Sequence, residues 1–459
     1  RKQSAYGSAN KDAITVGNLV LFIHRAKRKI RELTYNYDSD NYIAPDLTVL
    51  ADHITDSLVT DFAYQQEPAS ILWVTRTDGV LAGLTYQRTE NVIAWHRHIL
   101  GGMADTGKQT VTKKLSFTAS SSTVLVGDDQ IQLTSHGLST GDVVSYYAEN
   151  NPIGGIRQDI FYYIIAVDSN TIRLATTSAN ASAGIFVDLK SVVGSKEQFF
   201  YKEVNKRTST FWSAAHGFGD GDTVFYTASL IANKFTGLEI ETPYRVITVD
   251  GNSFKLIHQY DFEDFKKSGL NYINTNYVAV GTISTTLTTH KWLTNAKVKT
   301  IATIPTDNAE DELYMIIERY VNGATVNYVE FMTPFDYGNN QDDAFYVDSG
   351  LTYSGGKTTS ITGIHHLEGA LVNVLADGAT HTDETVSSSG ITLNHLAEKV
   401  HVGFNYKSVL QTMRIESGAD DGTAQGKTKR IHGVTVRLND SLGCKVGPDL
   451  KNLETIPFR

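Results

Sequence analysis

Disulfides, long hydrophobic runs and an excess of positive charge are all missing from this chain of 459 residues. Its one cysteine, Cys444, has no intrachain partner, so stability must come from packing or assembly, and the composition fits folding in a reducing compartment. No apolar run approaches the ~18 residues that a membrane-spanning helix needs. Lys and Arg number 41 against 50 Asp and Glu, a formal net charge of −9. Tight gripping of nucleic acid runs on Lys and Arg neutralising phosphates, so it is not expected here. A wall past which DNA slides without sticking is compatible with the same charge. Prolines number only 8, which leaves the interiors of strands uninterrupted.

What is present favours pleated sheets. Hydrophobic residues make up 41% and charged residues 20%, a globular balance. The 23 Tyr and 19 Phe accompany many Val, Ile and Thr, residues that suit half-buried strands, and 37 Gly supply turns. The most informative stretch runs from Ser70-Ile-Leu-Trp-Val74 through Asp78-Gly79 to Trp95-His-Arg-His98. It is expected to form a β-meander with a type I′ turn at Asp78-Gly79, since that turn needs positive φ at both central residues.

The surrounding block, residues 1–114, is expected to be a first host β domain. Leu19-Val-Leu-Phe-Ile23 is a buried strand candidate, followed by the basic run His24 to Arg31. One helix is expected near 46–55: Asp46 offers an N-cap, and Leu47, Leu50, Ala51 and Ile54 recur at helical spacing. The start at Arg1 and the end at Ile456-Pro-Phe-Arg459 fit a processed product or part of something longer.

An internal repeat follows. Thr134-Ser-His136-Gly137 through Gly141-Asp142 matches Ala214-Ala-His216-Gly217 through Gly221-Asp222. Val167-Asp-Ser-Asn-Thr-Ile-Arg-Leu174 matches Val249-Asp-Gly-Asn-Ser-Phe-Lys-Leu256. Two tandem inserted β modules, small sandwiches or barrels, are therefore expected over 115–204 and 205–290. The host resumes over 291–459, with hairpins at Asn322-Gly323 and Asp377-Gly378 and further strands at Lys399–Tyr406 and Arg430–Leu438. Successive antiparallel meanders suggest propeller blades. The expected fold class is mainly β: a propeller-like host domain of antiparallel meanders carrying the two modules.

Candidate chemistry is sparse. Gly422-Thr-Ala-Gln-Gly426-Lys427-Thr428 is one residue short of a phosphate-binding loop, and Asp421 occupies the required glycine position, so a solvated turn is the better reading. His96 and His98 share a strand face at metal-ligand spacing without a third ligand, which favours two polar edge histidines. His365-His366 would point opposite ways in a strand. His136 and His216 recur in His-Gly turns, where a backbone-bonding role is expected. Asp38-Ser-Asp40 and Glu310-Asp-Glu312 are short acidic groups better suited to loops than to calcium, which needs at least about six oxygens. His24–Arg31 is the most basic run, with Lys427, Lys429 and Arg430 a second cluster; either could meet phosphates or acidic partners, and a solvated hairpin face is the plainer reading. No catalytic, cofactor-binding or metal residue is assigned, and no cofactor is expected.

The host segments resemble the tail tubular protein B, or tail nozzle, family of short-tailed bacteriophages. The resemblance is carried by Leu21–Tyr35, Asp46–Ile54, Ser70–Val74 through Trp95-His-Arg-His98, Glu318-Arg-Tyr-Val-Asn-Gly-Ala-Thr-Val326, Gly363-Ile-His-His-Leu-Glu-Gly369 and Gly422 to His432. These occur in the family's order outside residues 115–290; the inserts depart from the compact nozzle pattern, and the family's N-terminal portion has no counterpart here. The resemblance implies a non-enzymatic virion component, assembled in the bacterial cytoplasm as a homohexameric tube. Its implied partners are further copies of itself, an adaptor ring, fibres or spikes, and genomic DNA passing through the lumen. The alternative is a receptor- or carbohydrate-binding or cleaving tail spike, motivated by Tyr- and Trp-rich loops and the inserts. The inserts are expected to be peripheral, so that deleting about 115–290 leaves the host able to fold.

Overall fold

The computed structural model describes residues 6–229, 231–240, 242–259, 261–262, 277–306, 310–334, 336–412, 430–438, 441, 443–450 and 452–456. Strands hold 49% of the residues and helices 6%, so the chain is mainly β, built from antiparallel sheets. It divides into two units, 1–259 with 274–406, and 260–273 with 407–459.

In the first unit, Ile14–Val16, Leu19–Ile23, Ile30–Asn36 and Asn41–Ile43 form one four-stranded meander. Val59–Gln65, Ile71–Arg76, Leu81–Gln87 and Val92–His98 form a second. Alternation sends Leu21, Ile23 and Ile30 from one sheet, and Leu72, Val74 and Leu84 from the other, into a shared core. A three-stranded sheet, Lys297–Pro305, Asp311–Val321 and Ala324–Phe331, buries Leu313, Met315 and Ile317 against Trp73 and Leu81 of the second meander. A fourth sheet is dominated by the long strands Asp348–Thr362 and Gly390–Phe404, with Leu371–Ala376 beside the latter.

The same dipeptide class makes two different turns. At Asn322-Gly323 and Asp377-Gly378 both residues have positive φ, the I′ geometry expected between tightly twisted strands. At Asp78-Gly79 only Gly79 does (φ +84°), which corrects the I′ expectation. Gly79 N donates to Arg76 O (2.9 Å) and Arg76 N to Val80 O (3.2 Å), a three-residue loop with a glycine bulge. Arg76 Nε (3.0 Å) and Ser57 Oγ (3.1 Å) hold the Asp78 carboxylate, and Gly79 O accepts from Val298 N (2.9 Å). A Cβ on Gly79 would lie 2.7 Å from the Lys297 Cα. The turn therefore docks the early host segment onto the late one. Thr300 Oγ1 to Asp61 (2.6 Å) and Gln66 N to Asp311 (2.7 Å) continue the seam.

The repeated modules share one strand order. Across the first it runs 114–119, 196–202, 143–147, 161–168, 171–175, 130–132, 124–125. Across the second it runs 103–112, 288–295, 223–228, 243–248, 253–258, 210–212, 204–205. The second sheet thus takes its outer strand, Met103–Thr112, from chain that precedes the whole first module. Thr288–Asn295 pairs along that strand and passes through Ala296 into the host strand Lys297–Pro305.

Two further expectations are overturned. The helix near 46–55 does not form. Glu32 N donates to Pro45 O (3.2 Å) and Leu47 N to Ile30 O (3.0 Å), so the neighbouring strand takes up this backbone. Asp46 Oδ1 caps Thr48 N (2.9 Å) in a turn instead of starting a helix. Only a 3-10 turn, Asp52–Ile54, remains, and Leu50, placed on the apolar face by spacing, is 96% exposed. In the second unit, Arg430–Leu438 is exposed throughout and forms no strand, while a two-stranded ribbon pairs Lys445–Val446 with Glu454–Thr455.

Candidate functional site

The most constrained polar constellation centres on Arg319. The strand Asp311–Val321 alternates, so Arg319 shares the inward parity of Leu313, Met315, Ile317 and Val321 and is fully buried. Its guanidinium grips Glu330 on the next strand through Nε (2.7 Å) and Nη2 (2.9 Å), a bidentate fork. Nη1 donates to the Gly101 carbonyl, and the Phe404 ring lies 5.1 Å from the guanidinium carbon. Gly101 N donates to Asp348 Oδ2 at 2.6 Å. Burial pushes the Asp348 carboxyl upward, and the Gly101 amide and Arg319 oppose it. A Cβ on Gly102 (φ +79°) would sit 2.8 Å from Arg319 Nη1, so glycine is what lets the chain pass this close. The arrangement clamps backbone. No group of three or more His, Cys, Asp or Glu among the described residues is placed to hold a metal.

The residues singled out in sequence fall into separate places. His96 Nδ1 and His98 Nε2 lie 2.8 Å apart and share one proton, on the face covered by Trp73. Burial lowers both, His98 to about 4. They are edge-strand residues, as expected, but their side chains turn inward. The N–H of one ring points at the lone pair of the other, so these two nitrogens bond each other rather than a common ion. A Cβ on Gly83 would be 2.2 Å from His96 Cε1, so that glycine makes the room.

His136 and His216 do the backbone work expected of them. Each ring accepts from an amide two residues on: Leu138 N to His136 Nδ1 (2.9 Å) and Phe218 N to His216 Nδ1 (3.0 Å). Each Nε2 donates to a carbonyl across the sheet, Asp168 O and Asp250 O, both at 2.8 Å. The accepting Nδ1 assigns the proton to Nε2 in both rings. Asn170 and Asn252 reinforce the same turns by accepting from Ser135 N (2.8 Å) and Ala215 N (2.7 Å).

The basic run caps the hairpin between Leu19–Ile23 and Ile30–Asn36, with Arg25 to Lys29 exposed. Lys29 pairs with Asp46 (2.5 Å) and Arg28 with Asp56 (3.6 Å). Arg31 turns inward, over the Tyr6 ring at 3.6 Å and onto Ala44 O at 2.6 Å. His365 and His366 lie in a 3-10 turn, where His366 Nε2 donates to Ser349 O (2.8 Å). Asp40 accepts from the Tyr35 hydroxyl, and Glu312 from that of Tyr314 (2.9 Å). The stretch 421–429, with the loop at Gly422–Thr428, Lys427 and Lys429, lies outside the described residues.

Four ionisable groups in or beside the cores carry no sequence motif. Arg319, Glu32, Glu203 and His290 were not singled out. Glu32 is buried beneath the Tyr86 hydroxyl (2.7 Å). Glu203 joins the modules: it accepts from Val111 N (2.5 Å), and burial raises its carboxyl to about 7. His290 sits between Thr112 Oγ1 (2.7 Å) and the Tyr226 hydroxyl (2.8 Å), lowered by burial to about 4. The signal for Arg319 and His290 was their parity, since each falls on the inward side of an alternating strand.

An open cleft of about 930 Å³ is lined by Asn339, Asn340, Asp342, Asp377, Glu398 and Lys399 among others, with no aromatic side chain in its wall. That composition gives a sugar ring no stacking platform. No helix among the described residues is long and apolar enough to cross a membrane. The chain matches no protein-family model and no curated protein.

Proposed function

We propose that this chain is a structural subunit of a phage tail, a nozzle of the tail tubular protein B type through which DNA leaves the particle. The observation that carries the reading is the ordered set of sequence segments from Leu21–Tyr35 to Gly422–His432, on either side of the repeated modules. The geometry is compatible with a wall. Gly79 against Lys297 and Arg319 against Gly101 tie early and late host strands together through backbone. In this reading the host sheets are blades of a split propeller, and copies assemble into a homohexameric tube. The tube sits beneath an adaptor ring, bears fibres or spikes, and has no catalytic role. The net charge of −9 suits a lumen that repels the duplex and lets it slide.

The test is direct. Purified full-length chain should assemble into rings with a central channel by electron microscopy. Antibodies against it should label the tail tips of virions. A monomer that labels no particle would sink the proposal.

A further inference from the structure

Among the described residues, one sheet edge lacks a pairing strand and one strand-like segment lacks a sheet. Ala324–Phe331 forms the outer edge of its three-stranded sheet, and no described strand pairs with its far side. Natural edges are usually guarded by lysine, proline, a bulge or a covering element. Ala-Thr-Val-Asn-Tyr-Val-Glu-Phe has neither lysine nor proline and pairs with its neighbour without a break in register. Its one charge, Glu330, is spent inward on Arg319. On the outward face, cross-strand pairing sets Ile316 beside Val329 and Tyr314 beside Phe331. Val329 is 72% exposed and Phe331 51%.

Arg430-Ile-His-Gly-Val-Thr-Val-Arg-Leu438 has the complementary properties. Val434, Val436 and Leu438 alternate with Thr435 and Arg437, the period of a strand with one apolar face. All are exposed, and the segment joins no described ladder. Its nine residues match the eight of the open edge. The charges match too. The segment carries Arg430, His432 and Arg437 and no acid. The two sheet strands nearest the edge carry Asp311, Glu312, Glu318 and Glu330; Arg319 takes Glu330, and Lys297 and Lys299 take Glu318, which leaves Asp311 and Glu312 for the arginines of the segment. Because the arginines stand near both ends of the segment, one reaches the Asp311–Glu312 end whichever way the strand runs.

We propose that Arg430–Leu438 of one copy adds as a strand to the Ala324–Phe331 edge of a second copy of this chain. Main-chain hydrogen bonds supply the affinity, and Val434, Val436 and Leu438 extend the Ile316–Val329 row. The contact is heterologous, edge to strand, so repetition generates a ring or a filament. It rests on the self-assembly in the nozzle reading and names the surfaces that perform it.

The experiment uses the full chain, Val329→Asp on the edge and Val436→Asp on the segment, with particle mass measured at matched concentration. Both sites are solvent-exposed, and circular dichroism with thermal melting checks that each variant keeps the parent fold. Each variant alone should drop to monomer. Mixed in equal amounts they should recover a dimer, because one retains an intact segment and the other an intact edge. If both variants assemble as the parent does, this contact is overturned and the nozzle reading stands. If the variants are monomers but the mixture shows no dimer, the edge-to-strand pairing is overturned. If the parent is itself monomeric, this contact is overturned, and the nozzle reading is decided by the labelling of virions.

Discussion

Arg319 Nη1 donates to the carbonyl of Gly101, 218 positions earlier in the chain. One buried cation thereby joins the end of the first host segment to the strands after the inserts. Removing it with Arg319→Met leaves the partly buried Glu330 carboxylate without its cation and the Gly101 carbonyl without this donor. The expected loss is about 3–5 kcal/mol of unfolding free energy, read by chemical denaturation. Arg319→Lys should recover only a fraction, because an ammonium cannot form the planar fork. Equal stability of the lysine variant and the parent would show that charge alone, and not the fork, holds the site.

Acid and base should act on opposite groups. His98 and His290 are lowered by burial from 6.5 to about 4. Below 6.5 the unfolded chain takes up protons first, so the stability tied to these neutral rings is complete above 6.5 and lost as pH falls toward 4. Glu203 is raised by burial from 4.5 to about 7. Its contribution is complete below 4.5 and lost as pH rises through about 7. Glu203→Gln keeps an acceptor for Val111 N but cannot ionise. Between pH 4.5 and 7 its stability relative to the parent should climb by on the order of 2–3 kcal/mol and then level off. A pH-independent difference in denaturation midpoints would mean that the native carboxyl is already ionised.

What the sequence disclosed, it disclosed through local chemistry. Asn322-Gly323 and Asp377-Gly378 determine their own I′ turns because both residues tolerate positive φ. The paired His-Gly turns were legible because the motif occurs twice, and in both copies the ring bonds the same backbone positions. Where distant chain intervenes, the reading failed. Asp78-Gly79 departs from I′ because Arg76 holds Asp78 and Lys297 abuts Gly79. Asp46 to Ile54 lost its helix to hydrogen bonds from Ile30–Asn36. Met103–Thr112 belongs to the second module's sheet, yet it carries none of the repeated motif that would have announced this. Arg319 was visible only as a parity anomaly, and its partners lie on segments no local rule connects.

Glycine substitutions separate strain from collision. Gly323 (φ +79°) has open space where a Cβ would go, so Gly323→Ala should cost only left-handed strain, about 1–2 kcal/mol. Gly79 (φ +84°) carries similar strain, but its Cβ would meet the Lys297 backbone at 2.7 Å. Gly79→Ala should therefore be clearly the more damaging of the two in thermal melting. It should also raise hydrogen exchange at Val298 N, whose acceptor is Gly79 O. Equal melting temperatures would mean that the docking of the turn adds nothing to the seam.

The nested strand order changes where the inserts can be cut. Deleting about 115–290 removes most of the second module but leaves Trp292, fully buried among Phe211, Tyr226 and Phe254, without those rings. It also strands Met103–Thr112 as half of a two-stranded ribbon, a form with little independent stability in water. Deleting only 113–203, with a short linker from Thr112 to Val204, keeps every strand of the second sheet. It costs the Glu203 bond to Val111 N, the buried Tyr201 ring of the second core, and the aromatic contact of Tyr147 and Phe199 with the second module. The smaller deletion should remain soluble and melt cooperatively, with tryptophan emission blue-shifted like the parent. The larger should aggregate or show red-shifted emission from Trp292. Soluble, blue-shifted protein from the larger deletion would mean that the host folds without the second module's core.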